Sequence, residues 1–153
     1  MSAQKIRVIG VGTAGAGDDA LGLEAASILR SRVPPTVDVT SDTTGGSNIA
    51  TLCEGIDVLI IIDAVKPTPT FPPGAMLSWA YPAMRSAIDQ SLCRNTHSFS
   101  VTEGLALAEQ LGVLPKRVKV FGMAGENFEP ASGLSATVRM RLNDLVELVL
   151  QHI

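Results

Sequence analysis

The sequence predicts an α/β domain: a three-layer sandwich with a mostly parallel twisted sheet and helices on both of its faces. Three observations carry this. Short β-branched runs alternate with helical stretches along the whole chain. One of these runs, VLIII at 58–62, is apolar at every position and belongs in a sheet covered on both sides. The chain has 153 residues, 46% of them apolar and 18% charged, enough for one buried core and too few for two. Residues 1–153 are read as a single domain.

The elements follow in order. Residues 5–10 (KIRVIG) form the first strand, and 11–18 a glycine-rich loop. From 19 to 32, Leu21, Leu23, Ala25, Ala26, Ile28 and Leu29 recur near the helical period, until Pro34 and Pro35 end it. Residues 36–40 alternate as a short second strand, TTGGS at 43–47 is a turn, and a helix follows around 48–53. Residues 57–62 are the central strand, closed by Asp63. KPTPTFPPG at 66–74 is a loop, and 76–80 a strand near the sheet edge. A helix is expected over 83–92, a loop with His97 after it, then a helix over 101–111 ended by Gly112. Residues 117–122 form the last strand, and 134–152 a long amphipathic helix.

Charge and composition exclude several function classes. The formal net charge is -3 with scattered Lys and Arg, so no nucleic-acid surface is expected. The apolar run 58–65 is interrupted by Asp63 and far shorter than the ~20 residues that cross a bilayer. No membrane partner and a cytoplasmic location are therefore expected. Cys53 and Cys93 stand in no metal or redox spacing and are read as free thiols.

The chemistry starts at GVGTAGAGDDALG, residues 10–22. Gly10, Gly12 and Gly15 fit G-x-G-x-x-G after a strand and before a helix, as a dinucleotide site requires. Asp18 and Asp19 argue against it, because the helix N-terminus that should receive a pyrophosphate already carries negative charge. No acid stands about 20 residues on, where the ribose hydroxyl would be bound. Either aspartate could instead cap the helix, an effect of roughly 0.5–2 kcal/mol. One acid suffices for a cap, leaving Asp19 free to project as a ligand. Asp63, at the carboxyl end of the central strand, and His97, in a loop, can reach the same rim. Two carboxylates and an imidazole form an open-faced donor set suited to a divalent ion such as nickel or zinc.

The chain resembles the hydrogenase maturation endopeptidases over nearly its whole length. The resemblance rests on VIGVGTAGAGDDALGLEAA, TTGGSNIATL, VLIIIDAVKP, THSFSVTEGLALAEQLGVLPKRVKVFGM and ENFEPASGLSATV, in that order. It implies an endopeptidase that trims the C-terminal extension of a [NiFe] hydrogenase large-subunit precursor after nickel insertion. It also implies metal contacts and catalysis at Asp19, Asp63 and His97, with nickel carried by the substrate and zinc or cadmium able to take its place. A monomer is expected. The alternatives are a non-catalytic, chaperone-like relative that checks for nickel, and a dinucleotide-binding enzyme. The sequence departs from the family pattern at Thr13, where Asn is usual, at Asp19, often Glu, at Ala20, where Gly is common, and in the TTGGS turn.

Overall fold

The computed structural model of the chain describes residues 4–81 and 101–153. The expected helix over 83–92, Cys93 and His97 lie outside the described residues.

The elements are β1 (Ile6–Val11), a 3-10 turn (Gly17–Ala20), α1 (Leu21–Arg30), β2 (Val37–Asp42), α2 (Ile49–Cys53), β3 (Val58–Val65), β4 (Met76–Ala80), α3 (Val101–Gln110), β5 (Arg117–Ala124) and α4 (Ala136–Leu150). The strands form one sheet in the order β2-β1-β3-β5-β4. All neighbours run parallel except the edge strand β4, which is antiparallel to β5. This is the expected sandwich.

The central strand shows why both faces are covered. Ile60 and Ile62 point into a core shared with Leu21, Ala25 and Leu29 of α1 and with Leu145, Val146 and Val149 of α4. Leu59 and Ile61 point the other way, onto Ile49 and Cys53 of α2 and Leu105 and Ala108 of α3. A period-2 strand that is apolar throughout can only be satisfied between two helix layers. Gly10 and Gly22 set the approach of α1 to the sheet. A β-carbon on Gly22 would stand 2.3 Å from the Val11 carbonyl oxygen and 2.5 Å from that of Ile62.

Several boundaries differ from the sequence reading, β2 and β5 each running two residues further, to Asp42 and Ala124, and three of the differences have a local reason. The first helix does not start at residue 19. A 3-10 turn precedes α1, because Asp18 is drawn away from the helix axis into a neighbouring loop. The central strand does not stop before Asp63 but continues to Val65. β5 goes on pairing there, Asp63 against Gly122 and Val65 against Ala124, whereas pairing with β1 ends at Ile62. The last helix is shorter than read. Ser135 caps its start by accepting the Val138 N–H at 3.3 Å, and Gln151 and His152 form a closing turn.

Gly22→Ala forces a β-carbon against two backbone carbonyls that have no rotamer to yield. Its urea midpoint is expected to fall by the equivalent of about 1–3 kcal/mol with an unchanged m-value.

Candidate functional site

The carboxyl-end rim of the sheet is built around the loop between β1 and α1. The loop spends its N–H groups internally. Gly12 donates to the Asp42 carbonyl at 3.1 Å, Gly17 to Ser132 at 3.0 Å and Asp18 to Asn127 at 2.7 Å. The Thr13, Ala16 and Asp19 N–H groups also donate to carbonyls of the loop itself. A phosphate cradle needs such groups free and pointing outward. Gly12 is required instead for close packing, since a β-carbon there would lie 2.2 Å from the Asp19 carbonyl oxygen. The local pattern of a dinucleotide motif is thus used to fold a tight turn.

The two adjacent aspartates divide their work, though not as cap and ligand. Asp18 is 0% exposed, and its side chain makes no bond to its own helix. Its Oδ2 accepts the N–H groups of Glu126 (2.7 Å) and Asn127 (3.0 Å), and its Oδ1 that of Ser135 (2.7 Å). Burial alone would raise its pKa. The backbone donors outweigh burial and hold it below the usual 3.8. Asp18 therefore pins the loop after β5 to the glycine loop.

Asp19, next in the chain, is half-buried. It faces Asp63, half-buried on β3 just past the end of β1 pairing. Burial pushes the Asp63 carboxyl well above 3.8, and the nearby charge of Asp19 adds to this. The Ala64 N–H, 2.8 Å from Asp63 Oδ1, pulls weakly the other way. Asp42 contributes further upward pressure. The structure thus brings two of the three expected site residues together. The third, His97, lies outside the described residues. Among the described residues, no three His, Cys, Asp or Glu side chains are grouped so as to hold a metal ion.

Asp42 is a candidate site residue that the sequence reading passed over. It closes β2 beside Val11 of β1 and is 2% exposed. Its Oδ1 accepts the Thr44 N–H at 2.8 Å and the Thr44 hydroxyl. Its Oδ2 is buried without a hydrogen-bond partner. An unpaired buried carboxylate oxygen is costly and calls for a donor or a cation. The available signal was positional: an acid ending a strand immediately before a glycine turn, on the rim where α/β folds place their sites.

A thiol nucleophile at Cys53 is excluded. Burial pushes that thiol to about 11, against a small opposing effect of Arg7, and it is fully enclosed.

A family model described as HycI, hydrogenase maturation protease, matches residues 26–152, which include Asp42, Asp63 and His97. The hydrogenase 2 maturation protease of Escherichia coli K12 is 26% identical over 148 residues, covering 95% of this chain and 88% of that protein. The solved structure of the hydrogenase maturating endopeptidase HybD from E. coli superposes with a TM-score of 0.81 at 25% identity, covering 97% of this chain and 91% of that one. A hydrogenase 2 maturation peptidase from a Thaumarchaeota archaeon gives a TM-score of 0.70 at 26% identity, covering 97% of each chain.

Two substitutions test the electrostatics. Asp18→Asn should destabilise the fold by about 3 kcal/mol near neutral pH, since charged acceptors are lost from buried donors. The depressed folded-state pKa means that Asp18 contributes fully above 3.8 and progressively less as pH falls below it. The gap between Asp18→Asn and wild type, followed by urea unfolding, should therefore close in acid. Asp63→Asn should do the opposite. Its raised pKa means that ionising it costs the folded state as pH rises past 3.8. The metal-free variant should melt above wild type near neutral pH and level with it well below 3.8.

Proposed function

Because the chain belongs to the hydrogenase maturation protease family, we propose that it removes the C-terminal extension of a [NiFe] hydrogenase large-subunit precursor once nickel is in place. In this reading nickel arrives with the substrate, held by the precursor, and Asp19, Asp63 and His97 meet it at the rim. Zinc or cadmium would suit the same oxygen and nitrogen donors.

The observation that supports the reading is the crowding of negative charge on the rim. Asp63 is raised by burial, by Asp19 and by Asp42, and Asp42 keeps a buried oxygen without a partner. Carboxylates held this way gain from a divalent cation, which neutralises them together. A precursor without nickel would bring no such gain. The same contacts that bind the metal-loaded precursor would thus reject the unloaded one.

The chemistry asks little more of this chain. A cation at the rim polarises a nearby carbonyl and lowers the pKa of water. Asp19 and Asp63 would orient the loaded precursor. The buried Asp42 carboxylate offers an acceptor beside them, oriented by Thr44. No serine, threonine or cysteine nucleophile is needed, and Cys53 is unfit for the role.

The test is mass spectrometry of nickel-loaded precursor after incubation with the protein. Wild type should release the C-terminal extension from loaded but not from nickel-free precursor. Asp19→Ala and His97→Ala should each slow release by at least about 10²-fold, with circular dichroism and melting close to wild type. Release at the normal rate by both variants would overturn the assignment of these residues.

A further inference from the structure

We infer that the rim opposite the candidate site carries a second binding site, for a small organic carboxylate with an apolar body. A cavity of about 600 Å³ opens there, at the amino ends of the parallel strands. That volume lies in the range of small-ligand pockets. Its floor is one face of the sheet: Ile6 of β1 with Val58 and Ile60 of β3. Ile6 pairs with Val58, and Ile60 follows two residues on along β3, on the same face. Arg117 pairs with Val58, and Lys119 with Ile60, on the neighbouring strand β5. Two cations therefore stand in the same rows as the apolar floor, and Lys116 adds a third at the lip.

The lining includes Lys116, Arg117 and Lys119 and, among the described residues, no Asp or Glu side chain. Among the described residues, none of the three cationic groups makes an ion pair or side-chain hydrogen bond. Asp57 precedes the floor residue Val58 but does not line the cavity. Its Oδ2 accepts the Lys5 backbone N–H at 2.8 Å. The far wall is the closing turn of α4. His152 is held there by Leu148, whose carbonyl oxygen lies 2.9 Å from Nδ1, and by its ring contact with Phe121.

This combination selects the ligand. Cations without an acidic partner favour an anion, and a planar guanidinium suits a carboxylate in particular. Inorganic phosphate would leave the apolar floor wet. A neutral apolar molecule would leave the cations unpaired. An alkyl carboxylate satisfies both, its chain over the half-buried Ile6 and Val58 and its head at Arg117 and Lys119. Nothing in this argument uses the opposite rim or its proposed chemistry.

The experiment titrates ¹⁵N-labelled protein with decanoate, decanol and inorganic phosphate, each as separate monomeric solute. Decanoate should give saturable amide shifts centred on Ile6, Val58 and Lys119. Decanol should bind about tenfold more weakly, and phosphate should not saturate. Lys119→Gln, half-buried at the sheet face, should weaken decanoate about tenfold and leave decanol unchanged. Arg117→Gln, which is exposed, provides the same comparison if the first variant unfolds. Equal binding of decanoate and decanol, shifts centred elsewhere, or indifference of decanoate to both variants would overturn the proposal. Precursor processing is expected to be unaffected by either variant, so loss of this site and failure of the proposed function would be seen separately.

Discussion

The rim depends on one buried charge. Asp18 is cut off from solvent, which by itself would make its carboxylate expensive. Three backbone N–H groups from a single loop offset that cost, two on one oxygen and one on the other. The loop is long and short of apolar anchors: the 124–135 stretch holds Phe128 and Leu134 against the core and little else. Without Asp18 its free N–H groups would turn to water. With it, Glu126, Asn127 and Ser135 are drawn to the glycine loop. The Gly17 and Asp18 N–H groups return the connection, donating to Ser132 and Asn127. Asp19 follows Asp18 directly, so the orientation of the rim carboxylate is fixed by the bonds of its buried neighbour. Ala131, at a φ of 63°, is held in the left-handed region within the same loop. Its N–H donates to the Gly15 carbonyl at 2.7 Å, which gives that conformation a local cause.

The rim's other acids pull against stability. Asp63 sits where β3 has lost β1 as a partner but not β5, so its backbone is fixed while its side chain faces Asp19 and Asp42. Strand pairing holds the Asp42 and Asp63 backbones, so neither can move apart to ease the repulsion. Such strain is normal at sites whose ligand arrives later. On the proposed reading, a cation arriving with the substrate would offset the repulsion between Asp19 and Asp63, which a neutral peptide would not.

Much of this was legible in the chain, and the limits have physical causes. VLIII at 58–62 gave away the sheet and both its helix layers, because no other arrangement buries five successive apolar side chains of a strand. The antiparallel pairing of β4 was not legible, since neither its sequence nor the helices read after it fix the direction in which it joins the sheet. Asp19 and Asp63 could be placed on one rim by topology alone. Asp18 was misread as a helix cap because its partners lie 108 to 117 positions away. Propensity describes bonds within a few residues and says nothing of a carboxylate that serves a distant loop. Asp42 was missed for a similar reason. Its Thr44 bonds look like an ordinary turn, and only burial reveals that its second oxygen goes unmatched.

The glycines of GVGTAG illustrate why a motif is not yet a site. The same spacing serves a dinucleotide only if the turn leaves its N–H groups facing outward at a helix start. Here two residues, Ala16 and Gly17, intervene before the acids, and Gly17 at a φ of 61° turns the chain inward. The donors close on Asp42, Ser132 and Asn127 carbonyls instead, and the turn tightens into a 3-10 segment. What emerges at the rim is therefore the side chain of Asp19 in place of a ring of amides. A loop with the spacing of an anion site thus presents a carboxylate, with the strand, the glycines and the helix all kept. The difference rests on where the backbone donors are spent.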